Sequence, residues 1–326
     1  MSMAARRSSS SRGPSSSAAL VGSSAVAIPV VCGPTSAGKT RLALWLADRT
    51  DVTIISADSR QLYRGFDVGT AKPTAAERRA VPHCGIDVLD PTERASAAWW
   101  ADRADEWIRA ALASNRQPLV VGGTGLYLRA LFGDLFHEPP LDEARRAMLQ
   151  QELSAYSTET LRRWVRALDP SRAALGRTQL LRALEIALLA GRRMSDLHRE
   201  QRRPARWSAR YLVVDPGPEL ATRIETRAHA MLRSGWRHEV RRLIGEVPAD
   251  APAWNATGYR TIRLLETGEL SERDALHRVI VDTRQYAKRQ RTWFRHQLAG
   301  DDVTRLDPRD SDWQAGALSW WQTWQA

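Results

Sequence analysis

Residues 33–40 read "GPTSAGKT", which matches the G-x-x-x-x-G-K-T pattern of a phosphate-binding loop. The apolar run that ends at Cys32 predicts a buried strand before the loop, and the pattern from Lys39 to Asp48 predicts a helix after it. In that context the backbone N–H groups and the helix N-terminus hold phosphate oxygens. The predicted phosphate site comprises Gly33, Pro34, Thr35, Ser36, Ala37, Gly38, Lys39, which supplies a point charge, and Thr40, whose hydroxyl suits Mg²⁺.

Further strand-like runs follow this loop along the chain. They occupy residues 52–58, 117–125 and 210–217, and helical patterns separate them. Apolar strands that alternate with helices predict an α/β fold with a parallel sheet core and helices on both faces. From Asp142 to about Arg203 the pattern is almost wholly helical and lacks a strand run, which predicts a helical insertion domain.

These patterns divide the chain into five parts. A Ser- and Arg-rich segment without acidic residues predicts a disordered tail over residues 1–27. The catalytic core is expected to comprise residues 28–140 and 208–300, the second part carrying basic helices, with the RNA-binding insertion at 141–207 between them. Residues 301–326 form a Trp-rich C-terminal tail, which we expect to pack on the protein because large apolar side chains seldom stay in water.

The overall composition narrows the classes of function. The chain has 326 residues and a formal net charge of +11, with a pI near 10.5. A basic excess indicates either a polyanionic partner, nucleic acid first, or a solvated basic surface. The two cysteines, Cys32 and Cys84, form no C-x-x-C pair, so zinc-finger and disulfide frameworks are excluded. No apolar run approaches the roughly 18 residues that a membrane span needs.

Two strand ends carry candidate catalytic residues. The run at 52–58 ends in Asp58, whereas the run at 117–121 ends in Gly122, Gly123 and Thr124 without a carboxylate. A phosphoryl-transfer enzyme with this loop needs an acidic Mg²⁺ partner at the end of a core strand. Asp58 is therefore a metal ligand, a general base beside the phosphate site, or a residue that caps a loop. Thr124 either caps the following helix or faces the same cleft.

Two basic segments are candidates for contact with RNA. In residues 283–295, Arg284, Lys288, Arg291 and Arg295 share one helical face and aromatic residues interleave with them. Such a stripe binds phosphates or RNA, or it forms a solvated face over aromatic side chains that belong to the core. The segment 191–206 is strongly basic as well and suits a nucleic-acid backbone.

Taken in order, the motifs resemble the bacterial type of the tRNA dimethylallyltransferases (tRNA isopentenyltransferases). The resemblance spans about residues 28–298, and its most distinctive block is the stretch 56–73. The blocks that carry it are "GPTSAGKT" (33–40), "SADSRQLYRGFDVGTAKP" (56–73), "PHCGIDVLDP" (82–91), "VGGTGLYLRAL" (121–131), "RALEIALLAG" (182–191), "GYRTIRLLETGE" (258–269) and "TRQYAKRQRTWFR" (283–295).

The resemblance implies a specific reaction. A dimethylallyl group moves from dimethylallyl diphosphate to N6 of the adenosine on the 3′ side of the anticodon of a tRNA, and diphosphate leaves. The expected partners are dimethylallyl diphosphate and the anticodon stem-loop of tRNA, and the expected cofactor is Mg²⁺. The adenine is expected to flip out of its stack. The bacterial type of the resemblance implies an enzyme in the cytoplasm, with no membrane contact. The sequence gives no oligomeric state, and a monomer is the default expectation.

The resemblance also assigns roles to residues. Asp58 is the general base, Thr124 contacts the target adenosine, and Lys39 and Arg284 complete the diphosphate site. The stretch before "RALE" is contracted relative to many relatives and reads "LGRTQLL". The implied tRNA-binding residues are Asp58, Ser59, Arg60, Gln61, Thr124, Arg145, Thr178, Gln179, Leu180, Leu181, Arg182, Gly258, Tyr259 and Arg260.

Three other functions remain open on the sequence. An enzyme that prenylates free adenine nucleotides would share the catalytic motifs, but it would not need the basic insertion. A P-loop kinase or NTPase would turn over ATP, and the strand run at 117–121 lacks the acid that such an enzyme needs. A non-catalytic RNA-binding protein would not need the set of Lys39, Thr40 and Asp58.

Overall fold

The computed structural model describes residues 27–325 apart from 134, 137, 138, 140, 201 and 204, so the predicted tail over 1–27 lies, except for Ala27, outside the described residues. The described strands are β1 (Ile28–Cys32), β2 (Val52–Ser56), β3 (His83–Cys84), β4 (Gln117–Gly122), β5 (Leu135–Phe136), β6 (Arg202–Arg203), β7 (Ala209–Val214) and β8 (Val303–Leu306). The described α-helices are α1 (Lys39–Ala47), α2 (Ala75–Ala80), α3 (Ala97–Ala113), α4 (Gly125–Phe132), α5 (Glu143–Ser154), α6 (Thr158–Leu168), α7 (Arg177–Ala190), α8 (Met194–Glu200), α9 (Leu220–Arg233), α10 (Trp236–Glu246), α11 (Tyr259–Glu266), α12 (Glu272–Gln297) and α13 (Trp313–Gln325).

The centre of the fold is a parallel sheet. Within the described residues six strands pair in the order β3-β2-β4-β1-β7-β8, and every pair is parallel. All five residues of β1 are buried, as a strand covered on both faces requires. The predicted α/β fold is therefore confirmed. Because the strands are parallel, the phosphate loop after β1, Asp58 after β2 and Thr124 after β4 lie along one edge of the sheet.

Helices cover both faces of this sheet. On one face α3, α4 and α12 contribute buried residues such as Trp100, Ile108 and Phe294. On the other face α1 packs together with α13, whose Trp320 and Trp321 are buried against the sheet. The Trp-rich segment is thus part of the core, and its strand β8 extends the sheet beside β7.

The insertion has a small core of its own. Helices α5, α6, α7 and α8 bury Leu153, Leu161, Leu184 and Leu197 against one another. At its base β5 pairs with β6 in antiparallel register, a connection that the sequence did not predict. Two-residue strands carry no detectable period, and their pairing depends on contact between distant parts of the chain.

Helix α12 is the longest described helix, and it contacts both the phosphate loop and the end of β4. It begins after Ser271, whose hydroxyl accepts a hydrogen bond from the Asp274 backbone N–H. Its 26 residues pack against α4, α9 and α11. Among the described helices, none combines the length and the apolar composition that crossing a membrane requires.

Candidate active site

Two glycines allow the backbone of the phosphate loop to adopt positive φ angles. Gly33 has a φ of 146°, and a Cβ at this position would lie 2.2 Å from the Val214 carbonyl oxygen on β7, so only glycine fits. Gly38 has a φ of 102° and precedes α1. Ser36 has a φ of 63°, and its buried hydroxyl has no hydrogen-bond partner among the described residues. The buried hydroxyl of Ser36 is thus left without a protein partner among the described residues.

Two half-buried cations lie beside this loop. Lys39 Nζ donates a hydrogen bond to the Pro34 carbonyl at 2.7 Å. Burial lowers the pKa of Lys39 to about 8; Asp58 acts in the opposite direction and Arg227 in the same one. Burial also lowers the pKa of Arg227, which belongs to α9 and lies with Nη1 3.5 Å from Thr35 Oγ1. Sequence reasoning missed Arg227, because nothing distinguishes one arginine of an amphipathic helix from the next.

The structure does not bring Arg284 to the loop, which corrects its expected place. Its guanidinium pairs with Glu225 at 3.0 Å, its side chain is 45% exposed, and it does not line the cleft. Six residues separate Arg284 from the buried Gln290, which rotates it about 120° around the helix axis. The expected basic stripe is interrupted as well, since Arg291 donates to Asp215 and to the Gly217 carbonyl.

Asp58 lies in a tight turn at the end of β2. Its Oδ1 accepts a hydrogen bond from the Arg60 backbone N–H at 2.9 Å. The Ser59 backbone N–H donates a hydrogen bond to Thr124 Oγ1 at 3.1 Å. The Tyr286 hydroxyl also hydrogen-bonds Thr124. Thr124 therefore makes no side-chain cap on α4, and its hydroxyl instead contacts the turn that carries Asp58. Burial, and then Asp58, raise the pKa of Tyr286 to about 12.

The segment that follows Asp58 is held in place by hydrogen bonds to polar side chains inside the protein. Gln61 accepts from Ser56 Oγ at 3.0 Å and donates to the Thr70 and Ala71 carbonyls, so its amide is used inside the protein. Glu239 accepts the backbone N–H groups of residues 67 and 68 at 2.9 and 2.8 Å. The Tyr259 hydroxyl donates to Glu239 at 2.6 Å.

Two residues of the "GYR" block are therefore structural, contrary to their expected role in tRNA binding. Tyr259 is 0% exposed and sits beneath the segment just described. Gly258 is buried with a φ of 90°, and a Cβ there would lie 2.4 Å from the Trp236 ring. Only Arg260 of this block is exposed.

The insertion divides its predicted residues in a similar way. Arg145 is exposed in the first turn of α5, and Thr178 and Gln179 are exposed on α7. Leu180 is 0% exposed and Leu181 packs against the same core, because the helical period turns this face inward; neither is placed to contact RNA through an exposed side chain. Arg182 is largely buried and pairs with Glu185 at 2.6 Å.

The phosphate loop, Asp58 and Arg227 border one cleft. It encloses about 810 Å³ between the phosphate loop, the 58–73 segment, α9 and α12. A smaller cavity of about 70 Å³ adjoins it and shares Thr35, Asp58 and Arg227 with it. Its lining also includes the apolar side chains of Ile224, Ala228, Met231, Trp236 and Val279.

The donor set of the cleft suits a magnesium ion that is bound mainly by substrate phosphates. Thr40 is exposed and lines the cleft together with Asp58. Mg²⁺ prefers oxygen ligands, keeps several waters and is usually held by one or two protein groups plus phosphates. Within the part of the chain that the structure describes, no cluster of three or more His, Cys, Asp or Glu residues could hold a metal by itself.

Known proteins with this arrangement are numerous. The family model described as IPP transferase matches residues 61–297. A tRNA dimethylallyltransferase of Halorhodospira halophila is 42% identical over 304 residues, which cover 89% of this chain and 98% of the relative. The tRNA isopentenylpyrophosphate transferase of Bacillus halodurans superposes with a TM-score of 0.65 at 30% identity, covering 92% of this chain and 97% of that one.

A third similarity comes from a eukaryotic dimethylallyltransferase whose structures were determined acting on tRNA. It has a TM-score of 0.74 and 25% identity, and the match covers 90% of this chain and 76% of that one. These similarities extend over most of the chain. The chain belongs to the IPP transferase family.

Proposed function

We propose that the protein transfers a dimethylallyl group from dimethylallyl diphosphate to N6 of the adenosine on the 3′ side of the anticodon of tRNA. One observation carries the proposal: a phosphate loop with two half-buried cations borders the same cleft as a strand-end carboxylate, and a small cavity lined in part by apolar side chains adjoins that cleft. The names of the relatives, which are tRNA dimethylallyltransferases, support the same reaction.

The phosphate loop is proposed to hold the diphosphate as a leaving group. Negative charge grows on the bridging oxygen as the carbon–oxygen bond breaks, so the cations act where charge develops. Lys39, Arg227 and the N–H groups of the loop would neutralise it, and the Thr40 hydroxyl would help to hold Mg²⁺. Bound Mg²⁺ would supply further neutralisation of the diphosphate.

The carboxylate side of the cleft is proposed to hold the adenine. The new bond joins N6 to the first carbon of the dimethylallyl group, the electron pair of the broken carbon–oxygen bond leaves with diphosphate, and the N6 proton passes to Asp58. Asp58 suits this role because Arg60 and Thr124 fix the turn that carries it. Thr124 would contact the adenosine from the same side of the cleft.

The small apolar cavity is proposed to receive the five-carbon chain. Ile224 and Ala228 are buried on α9, and Val279 is buried on α12, so the lining is fixed by packed helices. Trp236 also lines the cavity, and its ring packs against Tyr259 with centroids 5.5 Å apart. Burying the apolar chain here contributes about 0.8 kcal/mol per methylene-sized group.

The tRNA is proposed to lie across the exposed side of the cleft and the insertion. The exposed or half-exposed members of the predicted surface are Ser59, Arg60, Arg145, Thr178, Gln179 and Arg260. Loop bases are easier to unstack than paired ones, so the anticodon loop suits a site that must extract one adenine. A tRNA substrate and a magnesium-dependent reaction agree with the proposed cytoplasmic location, and we propose that the protein acts as a monomer.

One experiment tests this reaction against its alternatives. The protein is incubated with labelled dimethylallyl diphosphate, Mg²⁺ and either unmodified tRNA or AMP, and ATP hydrolysis is measured in parallel. We expect label in tRNA and none in AMP, and we expect Lys39→Met to abolish transfer. Label in AMP instead would favour a nucleotide prenyltransferase, and ATP hydrolysis without transfer would reject the proposal.

A further inference from the structure

A buried glutamine connects the two halves of the cleft. Gln290 on α12 is 7% exposed. Its Oε1 accepts a hydrogen bond from the Thr35 backbone N–H at 2.8 Å, and its Nε2 donates to the Gly123 carbonyl at 2.8 Å. Thr35 belongs to the phosphate loop after β1, whereas Gly123 follows β4. One amide thus bridges two strand ends with both of its polar atoms.

The surroundings of the amide leave it little freedom. A Cβ at Gly123 would lie 2.3 Å from Gln290 Nε2, so the glycine is needed for the approach. One turn before Gln290 on the same helix, Tyr286 hydrogen-bonds Thr124. The residue after Gln290 is Arg291, which donates to the Gly217 carbonyl after β7. Helix α12 therefore touches the ends of three neighbouring strands, with Gln290 in the middle.

The chain of contacts continues from Gly123 to the proposed base. The Thr124 backbone N–H donates to the Ala57 carbonyl at 3.1 Å, and Thr124 Oγ1 accepts from Ser59 N–H. These two bonds flank Asp58 on both sides. The separation between the phosphate loop and the Asp58 turn is therefore set by the Gln290 amide and by the backbone of residues 123 and 124.

We propose that Gln290 is a positioning residue that fixes the distance between the bound diphosphate and the base that receives the N6 proton. The inference rests on the proposed function. Transfer requires the reacting atoms within about 3–3.5 Å of each other, and an error of about 1 Å costs roughly 100-fold in rate. The Thr35 N–H is used by Gln290 and is therefore not free to bind phosphate.

A role in positioning differs in its consequences from a role in packing or in binding. Loss of the bridge would let the loop and the Asp58 turn shift relative to each other, while each half stays intact. Diphosphate binding needs only the loop and its cations, whereas transfer needs both halves at a set separation. A positioning residue therefore changes the rate of the chemical step and leaves diphosphate affinity nearly unchanged.

The test uses two substitutions and a matched control. Gln290→Met keeps the side-chain volume and removes both hydrogen bonds, whereas Gln290→Glu keeps the acceptor for Thr35 and removes the donor for Gly123. Gln297→Ala replaces an exposed glutamine two turns further along the same helix. For each protein we measure the circular dichroism spectrum, the affinity for inorganic diphosphate with Mg²⁺, and the single-turnover rate of transfer to tRNA.

We expect Gln290→Met to be folded and to bind diphosphate nearly as the wild type does, while the single-turnover rate falls about 10- to 100-fold. In Gln290→Glu the added negative charge beside the loop should weaken diphosphate binding as well as the rate. Gln297→Ala should match the wild type in every measurement. An undiminished rate in folded Gln290→Met would reject the positioning role, as would a loss of diphosphate affinity in that variant that accounts for the whole loss of rate. Failure of the wild type to transfer the group would instead reject the proposed function.

Discussion

Lys39 is one of the residues proposed to bind diphosphate, and its pKa is lowered. Burial lowers its pKa to about 8, and the nearby Asp58 only partly offsets this effect. Above pH 8, the Lys39 side chain is therefore neutral in a large fraction of the ligand-free protein molecules. Bound diphosphate favours the protonated form, so binding must take up a proton in that range.

This linkage predicts a pH dependence of binding. The affinity for inorganic diphosphate with Mg²⁺ should be nearly constant below pH 8 and should fall as the pH rises through 8, by up to about tenfold per pH unit. Calorimetric titration between pH 7 and 9.5 measures it. Lys39→Met should bind weakly and lack this component, which separates the lysine from the titration of diphosphate itself. An identical pH profile for both proteins would contradict the assignment.

Arg227 and Arg284 form a matched pair at the same scale. Arg227 lies against the loop, whereas Arg284 pairs with Glu225 away from it. A lost charge-assisted hydrogen bond costs about 1.5–3 kcal/mol, so Arg227→Met should weaken diphosphate binding by roughly 10- to 100-fold. Arg284→Met should bind nearly as the wild type does. Equal losses in both variants would restore Arg284 to the site.

Asp58 is expected to act in the chemical step and not in binding. General base catalysis contributes about 10²- to 10⁴-fold to a rate, so Asp58→Asn should lower the single-turnover rate by that range. The affinity for tRNA should change little, because one uncharged amide replaces one carboxylate in a large interface. Gel-shift titration and rapid-quench assays of the same preparation measure the two quantities. A variant that transfers at the normal rate once tRNA is bound would rule out the base.

At the scale of elements, helices with different roles differ in which faces they leave open. In helix α12, Arg291 of the basic stripe is held by internal contacts, whereas Lys288 and Arg295 are exposed. The insertion also carries exposed arginines, including Arg193 and Arg199 on the segment around α8, and Arg199 pairs with Asp196. We expect tRNA to use the charge of the insertion, because the exposed members of the predicted tRNA surface include residues of α5 and α7.

That expectation has a measurable salt dependence. Each phosphate contact contributes about 0.7–0.9 to the slope of log affinity against log salt concentration. Replacing both Arg193 and Arg199 by Ala should weaken tRNA binding and reduce the slope by about 1–2. The same change at Arg309, which pairs with Asp307 near the C-terminus, serves as the control. An unchanged slope in the double variant would place the RNA surface elsewhere.

At the scale of the whole molecule, the C-terminal segment belongs to the core. Strand β8 pairs with β7, and Trp321 on α13 is buried beside Val31 and Leu212 of the sheet. The stability of the sheet that carries the phosphate loop is therefore coupled to residues outside the family motifs. Removal of a buried aromatic side chain costs about 3–5 kcal/mol, from lost transfer free energy and from the cavity that remains.

Trp321→Ala should accordingly lower the free energy of unfolding in urea by about 3–5 kcal/mol. Trp164→Ala serves as the comparison, because that side chain is 38% exposed on the insertion, and it should change the value far less. Diphosphate binding by the folded Trp321→Ala protein should persist at low temperature. A wild-type urea midpoint for this variant would show that α13 adds nothing to the cooperative core.

Much of the molecule follows from local sequence. The strand, loop and helix around "GPTSAGKT" follow from apolar runs, from two glycines with positive φ and from the helical period, all of which act over a few residues. The places of Asp58 and Thr124 follow as well, because parallel strands end at one edge of a sheet. The family resemblance is confirmed as well, because the IPP transferase model matches residues 61–297.

Tertiary structure alone decided which side chains share the cleft and which are buried. Gln290 meets partners 255 and 167 residues away, and the interaction of Arg227 with the loop depends on how α9 packs. Tyr259 and Leu180 lie in family blocks yet face inward, which a motif does not specify. Strand β8 is too short to be recognised without β7 beside it. A sequence encodes local period and turn chemistry, whereas contacts between distant residues exist only once the helices have packed.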